Sequence, residues 1–537
     1  MKKIFQIFRL NLLFFIVVLT LVVIVESYFR YQHPLLELFI RSREYLFIIL
    51  IVFLTAFISK KTALIFLISL MAAISIQIAH YNYFGSLLFP MEIYLALTKQ
   101  HEIVETLASM LSILVIPIVI FVISTIVIVS VQKITEQRKT YRWISVLFIF
   151  LLIFPIIRTS IGYKKHQMGE RPNELWSLAR NSIAVTDHFL GKTLPMLLLD
   201  TSTLSSWNES SFIKQDEHNN SNNIVVIIGE SLTSQHMSLY GYERETTPNL
   251  DSLAKKKDFI FKQGISAGVV TDSSIPMLIN AAQRSNALEH IISGSNNLFR
   301  LAKAQGYRTY FVTAQSQDSF KYIRTYLNPK YIDKYIDSSS AGLDYYTIAH
   351  DDFLVEYFKK IPLTEGRNFI VLNMAGSHSP YKSRVPDGYA PFGAKKIIDQ
   401  YDNSVHYTDD ILKQIFDIAE ESTMLPTLFL FTSDHGELVS EAGFGHGQLD
   451  KECVYNVPLL IHPVHGKVDQ EIQIYLEKSL FVSHYKVAVI TATLLGYNAI
   501  ESHPEIHNKA YINGRDLNGV DSFLEVDYNK TCILRSK

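Results

Sequence analysis

Cysteine is nearly missing from this chain: 537 residues contain two, Cys453 and Cys532. Two thiols make no disulfide framework and no thiolate zinc knuckle. At most one bond can join them, and nothing in the sequence shows that it does. Any metal must therefore be held by oxygen and imidazole ligands. Net charge is also nearly missing, at −1, so the electrostatic footprint of a nucleic-acid binder is absent. No internal repeat is visible. Long apolar runs are absent after about residue 200, where the composition is that of an ordinary soluble domain. The length is too great for a single compact core.

What is present divides the chain in two. The first 160 residues are dominated by Leu, Ile, Val and Phe, in stretches at Leu10–Val25, Tyr45–Ile58, Ala63–Ala79, Ile113–Val131 and Trp143–Ile157. A helix needs roughly 20 mostly apolar residues to span a bilayer. The second and fifth stretches are short and must borrow flanking residues. The first lacks a small-residue cleavage site and reads as an anchor. Lys2, Lys3 and Arg9, then Lys60 and Lys61, then Lys133, Arg138, Lys139 and Arg142 mark one side, which basic residues assign to the cytoplasm. Arg30, Arg41 and Arg43 point weakly the other way, diluted by Glu26, Glu37 and Glu44. Five spans with the N-terminus inside place everything after residue 160 outside. The reading is a multi-pass membrane protein whose C-terminal half lies outside, which in a bacterium is the periplasm or the cell exterior. The loop over 80–112, with Tyr81, Tyr83, Phe84 and Tyr94, reads as an aromatic belt at the membrane–water interface. Residues 158–200 read as a helical connector on the membrane, and the Ser- and Asn-rich stretch 202–223 as a linker. The expected division is 1–160 membrane domain, 161–221 connector and linker, and 222–537 soluble catalytic domain.

In the soluble half, short apolar runs at Ile224–Ile228, Thr309–Val312, Phe369–Leu372, Thr427–Phe431 and Leu459–Ile461 alternate with helical patterns near Asn249–Lys257, Leu298–Gln305, Asp351–Lys360, Gln400–Ala419 and His484–Leu495. Such alternation implies an α/β domain whose mainly parallel sheet is covered by helices. Ligands of these folds lie beyond the carboxyl ends of the strands. "NIVVIIGE" ends in Glu230, followed by Ser231. "FIVLNM" is followed by "AGSHSP", with His378. "TLFLF" is followed by "TSDHG", with Asp434 and His435, and His446 stands in the Gly-rich "EAGFGHG". One such residue is an ordinary loop or capping residue; three strand ends carrying acids and imidazoles toward one edge are a site.

Glu230, Asp434 and His435 offer two carboxylates and an imidazole, a set that suits Zn²⁺ with an open fourth position, with Mn²⁺ as the competitor. A metal keeps a bound oxygen deprotonated near neutral pH, and a hydroxyl side chain there becomes a nucleophile. The candidates are Ser231, adjacent to Glu230, and Thr271 in "AGVVTDSSIPM", which precedes a helix start able to receive a phosphate. Local physics ranks Thr271 ahead, against the plainer role of an N-cap. His378 and His446 are placed to protonate a leaving group, bind phosphate oxygens or hold a second metal.

"IGES", "MSLYGYERETTPNLD", "GSHSP", "YDNSVHYTDD" and "FTSDHGE", with Thr271 five residues before Pro276, together resemble the bacterial phosphoethanolamine transferases. That family modifies lipid A and lipopolysaccharide core sugars, includes the mobile colistin-resistance enzymes, and belongs to the alkaline phosphatase–sulfatase superfamily. The resemblance implies a zinc site of Glu230, Thr271, Asp434 and His435 with Thr271 as nucleophile. It also implies phosphoryl or second-zinc binding by His378 and His446, and substrate contact by Gln315 in "TAQSQ". It implies phosphatidylethanolamine as donor and a lipopolysaccharide acceptor, core heptose or lipid A. The lipid A enzymes carry several disulfides, which this chain lacks, and Asn373 stands where the colistin-resistance enzymes have a further His. The string "MSLYGYERETTP" looks closer to the core-heptose branch. Two other readings compete: a phosphoglycerol transferase using phosphatidylglycerol, and a non-catalytic membrane-anchored binding protein. A sulfatase activity needs Cys or Ser in a C/S-x-P-x-R context, and "SSIPM" lacks the Arg.

Overall fold

The computed structural model describes residues 2–33, 42–84, 111–162, 177–194, 212–214, 223–283, 287–320, 323–365, 367–440, 443–500, 509–515, 517 and 523–527, with scattered positions between 87 and 104. Most of the expected interfacial loop over 80–112 lies outside these residues, as does Cys532; Cys453 carries a free thiol. The chain forms two compact units, Met1–Asp200 and Thr201–Lys537, and the division falls inside the stretch read as connector and linker.

The first unit is helical: α1 (Lys2–Gln32), α2 (Ser42–Thr55), α3 (Lys60–Phe84), α4 (Leu111–Ile134), α5 (Arg142–Gly162) and α6 (Leu178–His188). Among the described residues α1, α3, α4 and α5 contain segments long and apolar enough to cross a membrane. The short fifth stretch borrows flanking residues as expected, α5 running for 21 residues from Arg142 to Gly162. The second stretch is short as expected: α2 has 14 residues, about 21 Å of helix against a hydrocarbon core of roughly 30 Å.

Polar side chains tie the bundle. The Asn11 amide donates to Ala56 O at 2.6 Å and Lys139 O at 2.9 Å, and its Oδ1 accepts from Lys139 N. One side chain thus brings the turns after α2 and α4 to the N-terminal end of α1. The three basic segments therefore share one end of the bundle. Farther along α1, the buried Glu26 carboxylate accepts from Leu178 N and Ala179 N. It satisfies two of the free donors at the start of α6. The helical part of the expected connector thus packs against α2, α3 and α5.

The second unit is built on an eight-stranded sheet. Its strands are β1 (Asn223–Gly229), β2 (Ile260–Ile265), β3 (Arg308–Thr313), β4 (Lys334–Ile336), β5 (Asn368–Asn373), β6 (Thr427–Ser433), β7 (Asn456–Val464) and β8 (Val482–Ser483), in the order β8-β2-β7-β6-β1-β5-β3-β4. Five of the seven pairings are parallel; β7 runs antiparallel to both β2 and β6. The run at Leu459–Ile461 is therefore a strand, but of reversed direction.

All seven residues of β1 are buried. Ile224, Val226 and Ile228 pack on one face with the helices over Thr271–Ile279, Leu298–Ala304 and His484–Leu494. Val225 and Ile227 pack on the other with those over Asp352–Phe358 and Ile397–Ser422. The two-residue period of a strand divides an unbroken apolar run between two cores. Burial of both faces fixes the central strands rigidly, and their carboxyl ends inherit that rigidity.

Candidate active site

β5, β1 and β6 are neighbours, and their ends are level: Ile228 lies opposite Asn373, and Gly229 opposite Ser433. Glu230 and Asp434 consequently leave the sheet side by side. Ligand atoms of Glu230, Asp434 and His435 all lie within 4.8 Å of one another. His435 Nε2 is 3.5 Å from Glu230 Oε1 and 3.4 Å from Asp434 Oδ2. The other ring nitrogen, Nδ1, donates to Gly436 O at 2.9 Å. That bond selects the tautomer whose Nε2 lone pair faces the two carboxylates. Burial pushes the His435 imidazole down to about 4, so it is neutral. Residue 436 must be glycine, because a Cβ there would sit 2.1 Å from Cys453 O.

These residues fit a divalent cation. Asp434 Oδ1 accepts from Ser231 N at 3.0 Å and His435 N at 2.6 Å, whereas Oδ2 is buried with no hydrogen-bond partner. A buried carboxylate oxygen left in this way is costly unless something positive meets it. Two carboxylates, a neutral imidazole and a hydroxyl make an oxygen- and nitrogen-rich donor set of the kind zinc takes.

The hydroxyl comes from the start of α7 (Thr271–Ile279). The N-cap is Val270, in extended conformation and with no side-chain cap bond, so the plainer role for Thr271 fails. Thr271 Oγ1 instead lies 3.1 and 3.3 Å from the two Glu230 oxygens and 3.3 Å from His435 Nε2. Ser231, held at a φ of 55°, also reaches Glu230, its Oγ donating to Oε1 at 3.1 Å. Both hydroxyls touch the cluster, and Thr271 spans two of its members from a helix N-terminus. Gln315 Nε2 donates to Glu230 Oε2 at 3.3 Å and Met374 O at 3.1 Å, so this side chain braces Glu230.

His446 and His378 form an outer pair. The His446 ring lies 4.3 Å from that of His435 and 5.3 Å from that of His378, centroid to centroid. His446 Nδ1 bonds Glu437 Oε2 at 2.8 Å, and His378 Nδ1 bonds Ser379 O at 2.6 Å. Every residue singled out from the sequence is thus brought to one place.

A family model described as Sulfatase matches residues 222–496. The chain belongs to the sulfatase family. Within that family, the putative transferase YhbX of Escherichia coli K12 is 29% identical over 279 residues, 50% of this chain and 48% of that one. The Kdo(2)-lipid A phosphoethanolamine 7''-transferase of Salmonella typhimurium LT2 is 27% identical over 254 residues, 44% of each chain. The chain spans about half the length of the curated relatives it matches. The integral membrane lipooligosaccharide phosphoethanolamine transferase A of Neisseria meningitidis superposes with a TM-score of 0.60 at 15% identity, over 91% of this chain and 96% of that one. The overall fold, apolar helices followed by a sulfatase-like α/β unit, is therefore shared with that protein.

Several residues of this sulfatase-family site escaped the sequence reading. Glu437, fully buried, bonds His446 and also accepts from Tyr381 Oη at 2.7 Å. Its position within "FTSDHGE" was the available signal. Asp351 accepts from Ala375 N at 2.6 Å and Gly376 N at 3.0 Å, while the buried Arg384 donates to His378 O and Ser379 O. Together they grip the loop that carries His378. Gly376, at φ 54°, lets that loop press on Glu230, since a Cβ there would lie 2.6 Å from Glu230 O. His484 bonds Ser433 O and Ser274 Oγ, and Ser274 Oγ donates to Asp434 O, so the helix that carries Thr271 is tied to the end of β6. Asp351, Arg384 and His484 act on segments distant in sequence, and no local motif marks them.

Proposed function

We propose that this protein is a zinc-dependent phosphoethanolamine transferase. It takes phosphoethanolamine from phosphatidylethanolamine onto Thr271 and passes it to a lipopolysaccharide acceptor, core heptose or lipid A. The observation that carries the reading is the meeting of Thr271 Oγ1 with Glu230 and His435 at the first turn of α7. Glu230, Asp434, His435 and Thr271 would hold the zinc. When bound, that ion supplies positive charge that lowers the pKa of a ligating hydroxyl and offsets charge on phosphate oxygens.

The remaining roles fall to side chains. Thr271 Oγ1 gives its proton toward Glu230, bonds phosphorus, and displaces the diacylglycerol oxygen, leaving a phosphoester on Thr271. His446, held through Nδ1 by Glu437, presents Nε2 to donate a proton to that leaving oxygen or to bind phosphate. His378, oriented through Nδ1 by Ser379 O, serves from the opposite side. An acceptor hydroxyl or phosphate oxygen then attacks phosphorus and the P–Oγ1 bond breaks, Thr271 Oγ1 taking back the proton held at Glu230 and a hydroxyl acceptor's proton passing to His446. Gln315 supports Glu230 and borders the substrate. A lipid donor gives a reason for tethering this site to apolar helices. In this reading the N-terminus is cytoplasmic, the chain lies in a bacterial inner membrane, and the catalytic part over 222–537 is periplasmic. The names of the two curated relatives and the presence of Thr271 support transfer rather than sulfate-ester hydrolysis.

The test supplies the full chain with phosphatidylethanolamine labelled in its headgroup. Label should appear on the peptide containing Thr271 and vanish in Thr271→Ala, which keeps its metal content. Label on Ser231, or equal labelling of Thr271→Ala, overturns the assignment. Label transferred from phosphatidylglycerol instead would replace the donor.

A further inference from the structure

A second feature lies far along the chain from the catalytic residues, within the helical unit. Between α1 and α2 is a cavity of about 140 Å³. Leu19, Val22 and Val23 of α1 and Ile48 and Ile49 of α2 make its apolar wall, Glu26 and Ser27 line the next turn of α1, and Arg30 and Tyr45 stand at the other end. Leu19 to Arg30 is about 16 Å along a helix. Val23 and Ile49 are exposed at 49% and 38%, so the apolar side opens to whatever surrounds the bundle.

The charged end has an unmet requirement. Arg30 stands in the last turn of α1, at the end of a membrane-crossing segment that runs to Gln32. Its guanidinium packs over the Tyr45 ring at 5.5 Å, yet Nη2 is buried with no hydrogen-bond partner. The neighbouring Glu26 carboxylate interacts electrostatically with Arg30, but both its oxygens accept from the start of α6, so the charge of Arg30 is offset while Nη2 still lacks an acceptor. A buried guanidinium donor calls for an acceptor, and a guanidinium is matched in shape by phosphate oxygens.

We infer that this cavity seats one glycerophospholipid, its phosphate accepting from Arg30 and an acyl chain lying along Leu19, Val23 and Ile49. A phospholipid brings an anionic headgroup and a hydrocarbon chain at this spacing. Basic pockets between membrane helices hold lipid headgroups by the same physics. The seat stands independently of the catalytic reading and requires only that the helices cross a membrane.

The test is native mass spectrometry of the full chain released from micelles containing dioleoyl-phosphatidylethanolamine, with dioleoylglycerol as the phosphate-free comparison. The expected result is one phosphatidylethanolamine per chain. Retention should fall at least about tenfold in Arg30→Gln and in the cavity-filling Val23→Phe, with dioleoylglycerol held no better than by the variants. Val23 is half exposed, so its variant keeps the test decisive should Arg30→Gln fail to fold. Equal retention by wild type and Val23→Phe, as a lipid held only at the catalytic centre would give, overturns the proposal. So does equal retention of dioleoylglycerol.

Discussion

The two units use their buried polar side chains in opposite ways. In the helical unit Asn11 and Glu26 spend theirs on backbone groups, tying turns and a helix start to α1. In the sheet unit Glu230, Asp434, Thr271 and His435 turn toward one another, and Gln315, Glu437 and His484 hold them there. The first pattern answers a solvent that offers no hydrogen bonds. The second leaves a carboxylate oxygen unmet and concentrates like charge, which lowers stability unless a ligand compensates it. Polar burial at Asn11 and Glu26 therefore reads as structure, and at the Glu230–Asp434–His435 cluster as function.

The sharpest test of that contrast is Thr271→Ala. It should lower the proposed transferase activity by about 10³-fold or more, with zinc content by elemental analysis and the melting midpoint nearly unchanged. A midpoint that fell along with activity would make Thr271 structural, like Asn11.

Lys486 is one exception within the sheet unit, and its removal should expose it. This lysine is fully buried on the helix over His484–Leu494, donating to Ser479 Oγ and Phe481 O. Burial pushes its ammonium down to about 7 from 10.5. The unfolded chain therefore keeps a proton that the folded chain has released between those two values. Stability from this group is complete above pH 10.5 and declines as pH falls toward 7, by up to about 1.4 kcal/mol per pH unit. Lys486→Met should raise the midpoint most near pH 7, the gain shrinking as pH rises. A gain independent of pH would show that packing alone changed.

Glu437→Gln tests the support around the site. It keeps the size of the side chain but weakens its hold on His446 Nδ1. Activity should fall about 10–100-fold, with zinc retained. An unaffected rate would separate His446 from the chemistry.

The central strands were legible because both faces are buried, which turns β1, β5 and β6 into unbroken apolar runs. Glu230, Asp434 and His435 were legible as candidate ligands because they immediately follow β1 and β6. Direction was not: the run in β7 looks like its neighbours, since apolar pattern reports burial and carries no sign for antiparallel pairing. β2 was missed because Lys262 and Gln263 interrupt its pattern, the Lys262 ammonium reaching Ser479 O from a partly buried position. Asp351 and Arg384 were invisible for a different reason. They hold backbone groups far from themselves in sequence, and side-chain chemistry alone does not reveal which loop a buried charge will grip.

Asn11 gives the smallest and most discriminating effect. Its amide makes three bonds to two turns, and Asn11→Leu removes them while keeping an apolar surface of similar size. Inside a membrane such bonds are worth about 1 kcal/mol, because an unfolded helix finds other partners there. The expected outcome is a fall of a few degrees in the midpoint of the full chain in detergent. Zinc content and transferase activity per folded molecule should stay unchanged. A loss of zinc in Asn11→Leu would mean that the helical unit reaches into the metal centre, and the separation between structural and functional burial would no longer follow the two units.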